Sequence, residues 1–317
     1  MKLIIQIPCF NEEASLPITF ADLPRHIDGI DAIEYLVIDD GSTDRTVETA
    51  KELGVNHIVS FKRNKGLAAA FTAGVETCLR LGADIIVNTD ADNQYQGGDI
   101  AKLVKPILDG KADITIGARP IADIEHFSWR KKKLQRFGSF IVRLASQTDI
   151  PDAPSGFRAY SKDAALRLNV INQYTYTLET IIQAGRNKMC IVSVPVSTNP
   201  EIRKSRLFKN IGVYISRSAI VILRTFLMYK PLKFFFFIAA ASFLGGAFLA
   251  GRFIYYFITD SGSGHVQSLI AAAILLLLSA QTFIAGLQAD IIAANRKILE
   301  DVQYILRKAE YEKKDNL

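Results

Sequence analysis

Two aspartates separated by one residue, Asp90 and Asp92, follow the apolar run 85–87 after two polar residues and are the side chains best placed for chemistry. The run predicts a buried strand, so both carboxylates fall at its carboxyl end. Hard divalent cations take oxygen ligands and commonly keep phosphate groups as partners. The spacing therefore favours Mg²⁺ or Mn²⁺ bridging a diphosphate, and a solvated acidic turn is the alternative.

A second carboxylate pair, Asp39 and Asp40, ends another apolar run and is followed by Gly41, Ser42 and Thr43. A carboxylate at a strand end can accept hydrogen bonds from a ribose hydroxyl or a base N–H. Asp-Gly-Ser is also favourable turn chemistry, so either explanation fits this motif alone. Ser42 and Thr43 predict that a helix begins here.

A basic segment, residues 63–66, follows a third predicted strand and opens a helix of small residues. Positive charge and N–H groups at a helix start suit a phosphate or a nucleotide, and an ordinary helix start is the alternative. The sequence lacks the three-glycine dinucleotide fingerprint and the P-loop pattern. Both absences argue against NAD enzymes and P-loop NTPases.

Short apolar runs alternate with helical patterns over the first 200 residues. This alternation predicts the α/β class, with a mostly parallel sheet covered on both faces. Ligands on such a sheet bind at the carboxyl ends of the strands. The predicted strands are 3–7, 35–38, 57–60, 85–89, 114–117 and 191–196, and the predicted helices are 13–24, 43–53, 66–81, 98–109 and 161–168.

The net charge limits the kinds of binding partner, and the cysteine spacing indicates the state of the thiols. The chain has 38 basic and 32 acidic residues, for a net charge of +6. This balance suits an anionic membrane surface or a phosphorylated substrate and gives no argument for nucleic acid. Cys9, Cys78 and Cys190 have no metal-site spacing and are expected to be reduced thiols.

The composition changes near residue 207, and the chain from there predicts attachment to a membrane. Residues 207–232 mix apolar and basic side chains, as a helix in the membrane interface does. The segments 234–257 and 266–289 are each long enough to span a bilayer. An ordinary amphipathic helix and a buried soluble hairpin are the respective alternatives.

Charge around the two predicted spans sets an orientation. Their connector has no Lys or Arg, whereas their outer flanks have Lys230, Lys233, Arg296 and Lys297. Both termini are therefore expected in the cytoplasm of an integral, multi-pass membrane protein. The predicted organisation is an α/β domain over 1–206, an interfacial amphipathic helix over 207–232, a two-helix transmembrane hairpin over 233–290 and a cytoplasmic helical tail over 291–317.

Several motifs occur in a fixed order, and together they carry a resemblance. They are Ile-Pro-Cys-Phe-Asn-Glu-Glu at 7–13, Ile-Asp-Asp-Gly-Ser-Thr-Asp at 38–44, Asn-Lys-Gly at 64–66 and Asp-Ala-Asp-Asn-Gln at 90–94. In this combination the chain resembles the family 2 glycosyltransferases, which have the Rossmann-like GT-A fold. The blocks 117–119 and 152–160, with two C-terminal spans, look like the dolichol-phosphate-mannose synthase and bacterial GtrB-like branch, which makes polyprenyl-phosphate sugars. The resemblance covers about 1–290.

The resemblance implies a role for each matching position. It implies catalytic roles for Asp92, Asp152 and Arg119. It implies a Mg²⁺ or Mn²⁺ site at Asp90, Asp92 and Gln94, and a lipid-phosphate site at Arg119, Arg136 and Ser155. It implies a nucleotide-sugar site formed by Pro8, Asn11, Glu12, Asp39, Asp40, Lys65, Gly66, Asp90, Ala91 and Arg206. Asp152 and Arg158 are expected near the reacting sugar, and Ser205 with Arg206 in a loop that closes over the nucleotide.

The implied reaction is inverting transfer of a sugar from a nucleotide-sugar to undecaprenyl or dolichyl phosphate at the cytoplasmic membrane face. A lipid monophosphate has a second pKa of about 6 and needs no strong general base, which agrees with four histidines that lie outside every motif. The basic segment 129–136 is expected to contact the membrane or the lipid phosphate, a solvated charged face being the alternative.

Two other functions stay open at this point. One is extension of a saccharide acceptor by a family 2 enzyme, and the other is a non-catalytic membrane scaffold. The two spans and the tail also favour a homo-oligomer, either a dimer or a tetramer.

Overall fold

The computed structural model describes residues 1–120, 148, 150–171, 176–200, 220, 223–224, 227, 231–259 and 265–315. These residues fall into two compact units. The first lies within Met1–Ile222 and Val302–Leu317, and the second is Leu223–Asp301.

The described part of the first unit contains a mostly parallel sheet. Its strands are β1 Lys2–Cys9, β2 Ala32–Asp39, β3 His57–Ser60, β4 Ile85–Asn88, β5 Ile114–Ala118, β6 Arg158–Ser161 and β7 Ile191–Pro195. They lie in the order β3-β2-β1-β4-β6-β5-β7. β6 pairs antiparallel with β4 and β5, and the other pairs are parallel.

Helices cover this sheet because their apolar residues recur at helical spacing. The described helices of the first unit are α1 Leu16–Asp22, α2 Thr46–Glu52, α3 Leu67–Arg80, α4 Ile100–Leu108, α5 Lys162–Arg167 and α6 Thr177–Arg186, with a 3₁₀ turn at Gly97–Asp99. In α3, the buried residues Ala68, Phe71, Val75 and Cys78 lie three or four positions apart on one face. That face packs on β1 and β2.

The central strands are apolar on both faces because helices bury them from both sides. Leu3, Ile4, Ile5 and Ile7 of β1 are fully buried. Leu3, Ile5 and Ile7 share one core cluster with Val37 of β2. The buried sheet gives the loops at its edge a rigid support.

One edge of the sheet collects the loops that matter for function. The carboxyl ends of β1, β2, β4 and β5 meet there because these strands are parallel. β6 runs the other way, so its amino end lies at the same edge, with Arg158 opposite Asn88 of β4. β1 lies where the strand order reverses, with β2 on one side and β4 on the other. Such a switch point is the usual ligand site of an open α/β sheet.

The second unit is built from two long apolar helices, α7 Pro231–Thr259 and α8 Val266–Asp315. The last turns of α8, from Val302, belong to the first unit. Each helix contains a long, strongly apolar stretch with few charged residues. Within the unit, the hydroxyl of Ser279 donates to the carbonyl of Ala239 at 2.8 Å. By length and composition, both helices can cross a membrane.

Most predicted elements agree with the structure to within a few residues, and four differences are informative. The strand β6 and the helix α6 were not predicted. The helix expected from Ser42 begins at Thr46 instead. The second span and the tail are one continuous helix. The prediction for 207–232 lies mostly outside the described residues.

Candidate active site

Asn11 joins the loop after β1 to the loop after β2. Its backbone is left-handed, with φ +56°. Its Oδ1 accepts a hydrogen bond from the Thr43 N–H at 2.8 Å, and its own N–H donates to Ser42 Oγ at 2.9 Å. Asp39 Oδ1 accepts from the Ser42 N–H at 2.9 Å. These bonds hold residues 42–43 in a turn, and α2 begins after it, at Thr46.

Glu12 and Thr46 extend this connection into the protein. The Glu12 N–H donates to Thr46 Oγ1 at 2.8 Å, and the Glu12 carboxylate accepts from the Ser15 hydroxyl. Glu12 is buried, as is Asp39. The structure therefore brings Asn11, Glu12 and Asp39 together at the ends of β1 and β2, as the sequence predicted for a nucleotide pocket.

Asp40 holds the basic segment that opens α3. Its two carboxylate oxygens accept from the N–H groups of Lys65 at 2.7 Å and Gly66 at 2.9 Å. Burial raises the pKa of Asp40, and these two bonds oppose the rise. Asp40 thus positions Lys65 and Gly66 through their backbone, so a ligand would meet the loop that Asp40 supports.

A basic cavity of about 500 Å³ lies beside this loop, lined by Ser60, Phe61, Lys62, Arg63 and Lys65. The ammonium of Lys65 lies 4.5 Å from the centroid of the Phe61 ring. An aromatic face and several cations are suited to a base and a phosphate. The cavity adds Phe61 and Lys62, which the sequence analysis did not assign.

Asp90 and Asp92 lie in the turn after β4, the next strand beside β1. Burial, followed by the charge of Asp92, raises the pKa of Asp90 to about 7. Asp92 Oδ1 accepts from the Gln94 N–H at 3.2 Å, across Asn93 with φ +54°. A buried carboxyl beside a second carboxylate is a suitable place for a cation.

The donor set of this turn fits Mg²⁺ or Mn²⁺ with a diphosphate. Within the described ranges, no group of three His, Cys, Asp or Glu side chains is arranged to hold a metal. Asp90 and Asp92 supply two carboxylates, and Gln94 can supply an amide oxygen. Mg²⁺ is commonly held by one or two carboxylates and completes its shell with phosphate and water.

Arg119 and Asp152 form a buried ion pair at the end of β5. Arg119 Nε donates to Asp152 Oδ2 at 2.7 Å, and Nη2 donates to Oδ1 at 3.0 Å. Nearby, the Tyr95 hydroxyl lies 3.4 Å from Ser155 Oγ. The structure thus pairs a residue predicted for the lipid phosphate with one predicted for the sugar.

A match to a family model identifies the family of this chain. Residues 4–168 match glycosyl transferase family 2, and this span covers more than half of the chain and the motifs just described. The chain belongs to glycosyl transferase family 2.

Relatives within the family are named for work on lipid phosphates. The chain is 33% identical over 220 residues to a UDP-N-acetylglucosamine–dolichyl-phosphate N-acetylglucosaminyltransferase of Methanococcus voltae, covering 62% of this chain and 86% of the relative. It is 27% identical over 218 residues to a polyprenol monophosphomannose synthase of Mycolicibacterium smegmatis, covering 65% and 81%. The resemblance to this branch of the family is confirmed.

A solved structure of similar fold provides the structural comparison. The glucosyl-3-phosphoglycerate synthase of Mycobacterium tuberculosis, in complex with Mn²⁺, UDP and glucosyl-3-phosphoglycerate, superposes with a TM-score of 0.57 at 21% identity. The match covers 71% of this chain and 79% of that one. This likeness concerns the fold, and it confirms the predicted GT-A class.

Arg158 is among the described residues, whereas several other predicted site positions lie outside them. Arg158 is fully buried, and its guanidinium donates to the carbonyls of Ala153 and Ser155 and to Thr180 Oγ1. It braces the loop that carries Asp152. Arg136, Ser205, Arg206 and the segment 129–136 lie outside the described residues.

Asn88 and Tyr176, two buried polar residues near Asp90, have contacts that the sequence did not predict. Asn88 ends the apolar strand β4 and donates from Nδ2 to the Gly156 carbonyl at 2.9 Å and to the Tyr176 hydroxyl at 2.8 Å. Asn88 could have been found from the sequence, because it is a polar residue at the end of an apolar run. Tyr176 lies 86 positions beyond Asp90 and has no local pattern that marks it.

Proposed function

We propose that this protein transfers a sugar, with inversion, from a nucleotide-sugar to a polyprenyl phosphate. The observation that carries the proposal is that an acidic turn and an arginine-containing ion pair lie on the same edge of the sheet. The acidic turn with Asp90 and Asp92 follows β4, and the Arg119–Asp152 pair lies at the end of β5, with only β6 between these strands. One centre suits a leaving diphosphate and the other suits an incoming phosphate.

The donor side is assigned to the ends of β1, β2 and β4. Mg²⁺ or Mn²⁺, held by Asp90, Asp92 and Gln94, would neutralise the departing nucleoside diphosphate. Crystallised fold neighbours contain Mn²⁺ or Mg²⁺ with UDP, which supports this assignment. The nucleotide-sugar would lie against Pro8, Asn11, Glu12, Asp39, Lys65, Gly66, Ala91 and Arg206, with Asp40 supporting the loop.

The acceptor side is assigned to Arg119, Ser155 and Arg136. Arg119 uses Nε and Nη2 for Asp152, and we assign its Nη1 to the lipid phosphate. Asp152 holds the guanidinium in place and offsets its charge before the acceptor arrives. A phosphate oxygen that is already anionic attacks C1 directly, which inverts the anomeric centre without a strong base.

The two apolar helices are assigned to the membrane, with the catalytic unit and both termini in the cytoplasm. Helices of 29 and 50 residues exceed the roughly 20 residues that a bilayer needs. The flanking lysines and arginines support this orientation. A dimer or tetramer stays a prediction.

An acceptor competition tests the proposal. The purified full-length protein in detergent is given a panel of UDP- and GDP-sugars with undecaprenyl phosphate, undecaprenol or a free saccharide. We expect a glycolipid that is labile to mild acid, formed from undecaprenyl phosphate alone. Transfer to a saccharide, or no transfer with any donor, would refute the proposal.

A further inference from the structure

A chain of buried polar side chains lies under the active site and joins its two halves. Gln6 Nε2 donates to Asn88 Oδ1 at 2.9 Å, and Asn88 Nδ2 donates to the Gly156 carbonyl at 2.9 Å. Gln6 and Asn88 have no exposed surface. Asn88 lies two residues before Asp90, and Gly156 lies four residues after Asp152, so the chain connects the turn of one to the loop of the other.

Tyr176 completes this arrangement from helix α6. Its hydroxyl accepts from Asn88 Nδ2 at 2.8 Å and donates to the Gly156 carbonyl at 3.3 Å. Its ring stacks on Phe71 with centroids 3.8 Å apart and planes 1° apart. The side chain is fully buried. A stacked ring and a twice-bonded hydroxyl give Tyr176 one defined position.

The space above this hydroxyl is too small for a side chain. A Cβ added to Gly156 would lie 3.0 Å from the Tyr176 hydroxyl and 3.2 Å from Asp90 Oδ1. The hydroxyl, the glycine and the Asp90 carboxylate therefore meet at one point. A larger side chain at Gly156 would therefore have to shift the hydroxyl or the carboxylate, because interiors are close-packed.

We infer that Asn88 and Tyr176 are positioning residues that set the distance between Asp90 and the Arg119–Asp152 pair. The inference rests on the proposed function, in which these centres hold the leaving diphosphate and the attacking phosphate. Asn88 and Tyr176 touch neither ligand in this assignment. They fix two loops relative to each other, and reaction rates depend steeply on such relative placement.

The inference predicts a specific kinetic signature. Tyr176→Phe keeps the stacked ring and removes the bonds that the hydroxyl makes to Asn88 and Gly156. Each half of the site keeps its own contacts, so the KM for the nucleotide-sugar should stay within about threefold while kcat falls by about tenfold or more.

Tyr160→Phe is the matched control. Tyr160 is a fully buried tyrosine whose ring lies 5.8 Å from the same Phe71 ring. Among the described residues, the bonds that join Gln6, Asn88, Gly156 and Tyr176 are made without it. The control therefore removes a buried hydroxyl from the same cluster and should keep kcat within about twofold.

The experiment measures kcat, KM and melting temperature for wild type, both tyrosine variants, Asn88→Ser and the double variant Asn88→Ser with Tyr176→Phe. We expect Asn88→Ser to lower kcat like Tyr176→Phe, and the double variant to match the worse single variant within about twofold. If Tyr176→Phe does not fold, Asn88→Ser carries the same comparison.

Two outcomes have distinct meanings. Equal kcat in Tyr176→Phe and Tyr160→Phe, or a rise in KM with kcat unchanged, would overturn the positioning role while wild-type transfer still stands. A wild-type protein that forms no glycolipid would instead overturn the proposed function itself.

Discussion

Arg119 and Asp152 form a two-point ion pair in which Nε lies 2.7 Å from Oδ2 and Nη2 lies 3.0 Å from Oδ1. Their side chains are 8% and 1% exposed. Removal of one partner from a buried pair leaves the other charge without its counter-ion, which typically costs about 3–5 kcal/mol. The pair can therefore matter for stability, for transfer, or for both.

A pair of substitutions separates these roles. Asp152→Leu alone should lower the free energy of unfolding by about 3 kcal/mol or more, because Arg119 stays buried and charged. The double variant Arg119→Met with Asp152→Leu should recover most of that stability, since apolar groups can replace a buried pair, yet should stay inactive. Denaturation and transfer assays check both. Activity in the refolded double variant would exclude a role for Arg119 at the phosphate.

Gly41 offers a test of the basic cavity. Its φ is +72°, and an added Cβ would lie 2.5 Å from the backbone carbon of Arg63 and 2.7 Å from the Asn64 nitrogen. Gly41→Ala should therefore push the 63–64 backbone away and raise the KM for the nucleotide-sugar by about tenfold, through a loss near 1.4 kcal/mol of binding energy.

Gly54→Ala controls for backbone strain in that experiment. Gly54 has φ +73°, almost the same as Gly41, but an added Cβ meets nothing within 4 Å. Both variants should lose about 1 kcal/mol of stability from the left-handed backbone, and only Gly41→Ala should change KM. Equal KM values would show that the 63–64 loop does not contact the donor.

Within the first unit, the last turns of α8 make polar contacts with helix α5 and the residue that follows it. The Tyr304 hydroxyl donates to Asp163 Oδ1 at 2.5 Å, and Arg307 Nη1 donates to the Leu168 carbonyl at 2.8 Å. Burial acts to raise the pKa of Asp163, but hydrogen bonds from Tyr304 and Arg167 outweigh it and hold this pKa below its usual value. The attachment therefore favours the ionised carboxylate.

This attachment should weaken in acid. A carboxyl with a lowered pKa stabilises the attached state above its ordinary pKa, and that contribution is lost as the pH falls through about 4 and below. Hydrogen–deuterium exchange of residues 302–315 should be faster in Tyr304→Phe than in wild type at pH 7, and the difference should vanish near pH 3. The surface variant Glu310→Gln should match wild type at every pH. A difference that persists at pH 3 would contradict the role of Asp163.

Strands with strong local signals were predictable from sequence. β1, β4 and β5 are apolar runs buried on both faces, so composition alone marks them. β6 has only four residues, Arg-Ala-Tyr-Ser, and forms because β4 and β5 lie on either side of it. Such long-range pairing leaves no local pattern. The acidic turn at Asp90 was also predictable, because the apolar run of β4 marks where the strand ends.

Other features of the fold could not be predicted because they depend on tertiary contacts or on residues far apart in the sequence. The helix start predicted at Ser42 was wrong because residues 42–43 lie in a turn that Asp39 and Asn11 hold. Asp44 Oδ1 instead accepts from the Thr46 N–H at 3.0 Å, where the helix begins. The Arg119–Asp152 pair joins residues 33 positions apart, and its partners were assigned to different ligands. α8 continues past Ala289 because the charged residues that follow are good helix formers, so a change of composition was not a boundary.

The most direct test of the account is metal-dependent transfer by Asp92→Ala. The wild-type protein, Asp92→Ala and the surface variant Asp109→Ala are assayed for transfer to undecaprenyl phosphate after chelation and after Mn²⁺ is returned, and each melting temperature is measured. We predict that chelation stops transfer, that Mn²⁺ restores it in wild type and Asp109→Ala, and that Asp92→Ala stays folded but inactive. Turnover by Asp92→Ala close to the wild-type rate would contradict the account.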